Sequence, residues 1–240
     1  MNPPPTAKWK SLGADGWASS NQLTLRLFMD EVVDPALATL ETQIVALSKS
    51  AGAGDAFRCI EMREILRATV MAFCLSIQSI WERQIRFYLA QSIGELGSSY
   101  PPHGVQEGKW EGHFTKLRII RPETFKCYAE LWTMEILANV CRHGDGRSAT
   151  ELWKKNKEFW PATSPLPSVP GFPPMTPPDP TKALSSAAIV IPPRRLRSFA
   201  AAIVDFWEEI RYFSMEAIKD KHPSLIAELE VMRTERAKSS

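Results

Sequence analysis

Residues 55–93 read DAFRCIEMREILRATVMAFCLSIQSIWERQIRFYLAQSI, and this stretch decides the fold. Apolar side chains return every three or four positions, at Phe57, Ile60, Leu66, Val70, Phe73, Ile77, Ile80, Trp81, Ile85, Tyr88 and Leu89. That is the period of an α-helix and not of a strand. Asp55 follows the break Ala51-Gly52-Ala53-Gly54 and stands where an N-cap acceptor belongs. From Ala68 to Trp81 no side chain is charged on any face, so this helix is expected at the centre of a bundle.

Working outward, Leu23, Leu27, Val33, Leu37, Leu40, Ile44 and Leu47 set a helix upstream, beginning near Asn21. Residues 1–20 are expected to be a tail, with Trp9 and Trp17 as possible pins. Downstream, a loop of Gly, Ser, Pro and His runs from Gly94 to Gly112. A short amphipathic turn is then expected over Phe114–Ile120. Pro122 opens a helix to about Arg142, carrying Phe125, Tyr128, Leu131, Trp132, Ile136, Leu137 and Val140. A short helix follows from Ala149 to about Phe159.

Residues 161–193 hold 11 of the 19 prolines, which excludes regular helix there. Within it Ala187–Ile191 is apolar and is expected to lie extended against the domain. Leu196, Phe199, Ile203, Phe206, Trp207, Ile210 and Phe213 restore the helical period from near Arg194. After His222-Pro223, Leu225, Leu229 and Met232 set a last helix. No alternating strand pattern occurs. The expectation is all-α: a helical bundle with long central helices and a proline-rich insertion before the last long helix. Its parts are a tail over 1–20, a bundle over 21–160, a proline-rich linker over 161–193 and completing helices over 194–240.

Composition narrows function. With 29 Lys+Arg against 27 Asp+Glu, the chain is no bulk polycation, so any nucleic-acid contact needs a local patch. The uncharged run of the apolar middle falls short of the ~20 residues a bilayer span needs. Met1-Asn2-Pro3-Pro4-Pro5 is followed by no apolar run, unlike a secretory signal. Cys59, Cys74, Cys127 and Cys141 show no metal-ligand spacing, and reduced thiols in a cytoplasmic protein are expected.

The segment richest in chemistry is Ala138-Asn139-Val140-Cys141-Arg142-His143-Gly144-Asp145-Gly146-Arg147-Ser148. Glu135, Asn139 and His143 fall at i, i+4 and i+8, one stripe at a helix end. In such a row the amide orients the imidazole, which exchanges protons near neutral pH. Arg142 and Arg147 flank the ring with forks suited to phosphate. The same residues also read as a plain corner. Gly144 fits a helix C′ position, Asp145-Gly146 a turn, and Ser148-Ala149-Thr150-Glu151 a capping box.

The arrangement resembles the HEPN superfamily, small helical bundles with a long helix pair and a motif Arg-Asn-x-x-x-His at a helix end. Asn139 and His143 match that motif, while Ala138 stands at the Arg position. The resemblance spans 21–160 and the helix over 194–219. It implies a homodimer whose facing His and Arg residues cleave RNA without metal or other cofactor, in a prokaryotic toxin, stress or antiviral-defence system. Here His143 is then the acid/base residue, with Asn139 its orienter. Arg142 and Arg147 hold phosphate, and Glu135 and Asp145 support them from behind. Because Ala138 supplies no cation, a second reading stands beside this one: a non-catalytic interaction or regulatory module whose His-Gly-Asp-Gly corner is purely structural.

Other basic groups are candidates for the same ligand. Arg83 and Arg86 are expected as a basic wall, although Glu82 and Arg86 also fit a helix ion pair. Arg194, Arg195 and Arg197, with Arg118 and Arg121, form a further local cluster. Lys154, Lys155 and Lys157 sit between Trp153 and Trp160, a pattern that suits base stacking. In the proline-rich segment Pro167-Ser168-Val169-Pro170 and Pro174-Met175-Thr176-Pro177 have PxxP spacing, a possible route to a protein partner. His103, His113 and His222 are assigned no role.

Overall fold

A computed structural model describes residues 13–50, 52, 54–96, 100–160 and 185–238. The protein is all-α, with no strand among these residues. The elements are α1 (Gly13–Phe28), a π turn (Met29–Val33), α2 (Asp34–Ser48), α3 (Asp55–Leu96), α4 (Trp110–Arg118), α5 (Tyr128–His143), α6 (Arg147–Lys155), α7 (Pro193–Glu216) and α8 (Pro223–Lys238). Short 3-10 turns occur at Pro102–Gln106, Pro122–Thr124, Lys157–Phe159 and Ser186–Ala188. No helix among the described residues is long and apolar enough to cross a membrane.

Helix begins at Gly13, inside the stretch expected as tail; residues 1–12, with Trp9, lie outside the described residues. The inward stripe of α1 is Ala18, Gln22 and Leu25, continued by Met29 of the π turn, while Leu23 and Leu27 face out. Apolar periodicity points to the wrong stripe because the inner face carries a glutamine. The Gln22 amide is satisfied there, donating to the Val204 carbonyl at 3.2 Å and to Glu208 at 2.8 Å. The π turn precedes Pro35, whose missing N–H and bulky ring cannot continue a regular ladder.

Two compact units make up the chain. The first comprises Met1–Met29, Ser79–Ala129 and Ala200–Ser240; the second comprises Asp30–Gln78 and Glu130–Phe199. The division cuts across the expected 21–160 span, and α3, α5 and α7 each contribute to both units.

The first unit is built on aromatic rings. Trp81 packs edge-on against Trp110, Phe206 and Trp207, with centroids 4.8–5.8 Å apart, the geometry that ring quadrupoles favour. Phe125 lies 5.5 Å from Phe206 and stacks on Phe213 at 5.9 Å. Seating Phe125 there divides the helix expected from Pro122: the chain makes a 3-10 turn, passes through extended Phe125 and restarts as α5 at Tyr128. Trp207 donates its indole N–H to Gln84 at 3.0 Å. Arg118 is buried, donating to the Ser92 hydroxyl at 2.7 Å with its guanidinium 4.9 Å from the Tyr88 ring. In α8, Leu229 and Met232 are buried, and Arg233 and Arg236 pair with Glu216 and Glu209 of α7 at 2.7 Å.

The second unit centres on Val70, Cys74 and Ile77 of α3, Leu131, Met134, Leu137, Ala138 and Val140 of α5, and Leu196 and Phe199 of α7. The first turns of α3 differ from expectation: Phe57 is 72% exposed and Ile60 58%. Every apolar residue expected to face inward on α7 is buried, in both units.

Residues 185–192 are strapped to the second unit. Ile189 and Ile191 are buried, and the Val190 N–H donates to the Phe159 carbonyl at 2.9 Å. Arg67 donates to the carbonyls of Ile189, at 2.8 Å, and Ala187. The Trp160 indole donates to the Ser185 carbonyl at 3.1 Å. The apolar run expected to lie against the domain does so through Ile189 and Ile191, after one 3-10 turn. The PxxP spacings at 167–170 and 174–177 fall in 161–184, outside the described residues.

Candidate functional site

The corner between α5 and α6 forms as a tight hairpin in the second unit. α5 ends because Gly144 takes φ +74°, a left-handed conformation that costs glycine little, and its N–H closes onto the Val140 carbonyl at 2.8 Å. α6 starts at Arg147, with Gly146 as its cap and no side-chain acceptor there. Ser148 therefore lies inside the first turn, and the expected capping box does not form. Lys155, at the far end of α6, stands 4.0 Å over the Trp132 ring of α5, so the two helices run back along one another.

Glu135, Asn139 and His143 share the stripe that their spacing requires. His143, Arg142 and Arg147 are exposed, and Glu135 and Asn139 half-buried. Arg142 also donates to Gln78 of α3 at 3.1 Å, which aims its guanidinium. The position that the family motif gives to Arg is closed. Ala138 is fully buried in the second unit, so an Arg side chain at that place has no open path to a surface anion.

Asp145 is bonded to the segment before α7. Its carboxylate accepts the backbone N–H of Ser186 and the hydroxyl of Ser185, which hold it below the usual carboxylate range. It fastens the strap. Arg83 and Arg86 belong to the first unit. There Arg86 pairs with Glu82 at 3.0 Å and donates to the Val105 and Gly108 carbonyls, holding the segment before α4. Arg83 is exposed and donates to the Ser79 carbonyl at 3.3 Å. The ion pair with Glu82 that the spacing suggests is present.

The Arg194–Arg197 cluster is largely neutralised. Arg195 pairs with Glu130 at 3.0 Å and Arg197 with Asp34 at 2.6 Å, which offsets positive charge at the start of α7. His113 donates from Nε2 to the Glu107 carbonyl and accepts the Tyr100 hydroxyl at Nδ1, clasping the segment into α4.

Sequence spacing does not connect Cys74 of α3 with Cys141 of α5. The Cys74 thiol hydrogen-bonds Cys141, which raises the Cys74 pKa and lowers that of Cys141. Cys127 is pushed up to about 12 by burial, with Asp205 and Glu209 adding to it. All four cysteines are free thiols. Among the described residues no three His, Cys, Asp or Glu side chains gather where they could hold a metal ion.

Compared with protein-family models, curated proteins and solved structures, the chain matches none.

Proposed function

We propose that this is a HEPN-like RNA-binding domain, with metal-independent endoribonuclease activity centred on His143. The observation that carries the reading is the open corner: an exposed imidazole, flanked by the exposed Arg142 and Arg147, at the end of a stripe containing Asn139.

Metal-free cleavage requires a base, an acid and a cation. His143 takes the proton from the 2′-hydroxyl, whose oxygen attacks phosphorus. The P–O5′ bond breaks, and the leaving oxygen receives a proton from His143 of a second copy in a homodimer. The products are a 2′,3′-cyclic phosphate and a 5′-hydroxyl. Arg142 and Arg147 take the place of the missing motif Arg in stabilising the phosphorane. The setting that follows from the resemblance is a cytoplasmic prokaryotic toxin, stress or antiviral-defence system.

The buried Ala138 favours a second reading, in which the domain binds without cutting and serves as an interaction module. One assay separates the two. Wild-type protein and His143→Ala are incubated with a mixed RNA pool in EDTA, and the cut ends are sequenced. Cyclic phosphate ends produced by wild type and abolished in the variant support the nuclease. Intact RNA with folded wild-type protein leaves the interaction module.

A further inference from the structure

The α5–α6 hairpin carries more than its corner. From Arg142 to Lys157 there are five Lys or Arg against two Asp or Glu, in a chain whose formal net charge is only +2. One of the two acids, Asp145, is already engaged by the strap. Trp132, Ile136, Asn139 and His143 fall on one stripe of α5, at intervals of four, three and four. That stripe is about 16 Å long, at 1.5 Å of rise per residue.

At the end of the hairpin away from His143, cations and indoles alternate. Lys155 stands 4.0 Å over Trp132. Lys157 stands 5.4 Å over Trp153, which meets Trp160 edge-on at 5.5 Å. Trp132 and Trp153 are half-buried, and Lys154, Lys155 and Lys157 are exposed. Exposed lysine–indole pairs are weak. A lysine that swings to a phosphate therefore releases a ring face on which a base can stack.

We infer that the α5–α6 hairpin is a track for single-stranded RNA, with Trp132 and Trp153 as base-stacking platforms and Lys154, Lys155 and Lys157 as phosphate ligands leading to His143. This rests on the RNA reading above and adds to it the strandedness of the ligand and the surface that holds it. Alternating aromatic and cationic groups suit a flexible strand with unpaired bases. A duplex keeps its bases stacked on each other and offers the rings nothing.

The probe is a 2′-O-methyl decauridylate, which has no free 2′-hydroxyl and so cannot be cut during titration. Its affinity for the full chain is measured by fluorescence anisotropy across a salt series. The K154Q/K155Q/K157Q variant should bind at least about tenfold more weakly, with a log–log salt slope shallower by about 2. Each phosphate that a lysine neutralises on a single strand contributes roughly 0.7 to that slope, and the variant leaves three lysines' worth un-neutralised. A K109Q/K116Q variant, altered in exposed lysines of the first unit, should keep the wild-type slope. Quenching of tryptophan emission on binding, reduced in Trp132→Leu, supports stacking. Binding by wild type with the same slope in the hairpin variant overturns the track and leaves the RNA reading standing. Equal competition by polyglutamate or by an RNA duplex also overturns it. No binding by wild-type protein overturns both.

Discussion

The carboxylate of Asp145 accepts the backbone N–H of Ser186 at 2.5 Å, joining the turn after α5 to the segment that leads into α7. This bond makes the corner part of a larger clasp. Trp160 donates to the Ser185 carbonyl, and Arg67 holds the next carbonyls, so the strap is fixed by side chains from α3, from the α5–α6 turn and from the 3-10 turn after α6. Asp145, expected to support the site from behind, fastens the strap. His143, two positions before it, is left facing solvent.

The clasp depends on pH in a defined sense. Accepting the Ser186 N–H lowers the Asp145 pKa in the folded state. Its contribution is therefore complete above the unfolded value of about 4 and is lost as pH falls through the lower folded value. Hydrogen exchange at the Ser186 amide should be slower at pH 6 than in Asp145→Asn, with the difference shrinking in acid. In Asp145→Asn, protection should be weak at both pH values.

Gly144 sets the turn. Its φ of +74° is strained for any residue with a Cβ, while an added Cβ would meet only the Ser186 hydroxyl oxygen at 3.5 Å. The cost of Gly144→Ala is therefore conformational and not steric, about 1–2 kcal/mol. Chemical denaturation should report it as a lower midpoint with an unchanged slope.

In the first unit, Trp207 combines ring packing with a hydrogen bond to Gln84. Trp207→Phe keeps most of the ring and gives up the hydrogen bond to the half-buried Gln84, so a loss of about 0.5–1.5 kcal/mol is expected. Trp207→Ala removes the ring as well and should cost about 3–5 kcal/mol. Equal losses in the two variants would contradict this division.

The thiols should react in a fixed order. Cys141 is half-exposed and its pKa is lowered by the hydrogen bond from Cys74, whereas Cys74 and Cys127 are buried and raised. Under native conditions iodoacetamide should modify Cys141 ahead of both. Cys74→Ala should slow the reaction at Cys141. Peptide mass mapping over time distinguishes the sites.

Much of this architecture is legible in the sequence because apolar periodicity reports burial directly. The α7 stripe from Leu196 to Phe213 and the central turns of α3 follow it. So does the stop at Gly144, since a left-handed C′ residue has a chemical signature. The inner face of α1 is hidden by Gln22, whose partners Val204 and Glu208 are remote in sequence. The break between Pro122 and Tyr128 is hidden because Phe125 fits a helical period, yet its ring packs best from an extended backbone. At the site, spacing places Glu135, Asn139 and His143 on one stripe. Only long-range hydrogen bonds reveal that Arg86 braces the segment before α4 and that Asp145 holds the strap.

The central claim is that RNA lies on the α5–α6 hairpin. Its most direct test is photo-crosslinking of a single-stranded RNA carrying 4-thiouridine to the intact protein, followed by mapping of the modified peptides. Adducts are expected within residues 132–157, centred on Trp132, Trp153 and the His143 turn. Adducts confined to peptides outside that span, or none at all with folded protein and excess RNA, would contradict it.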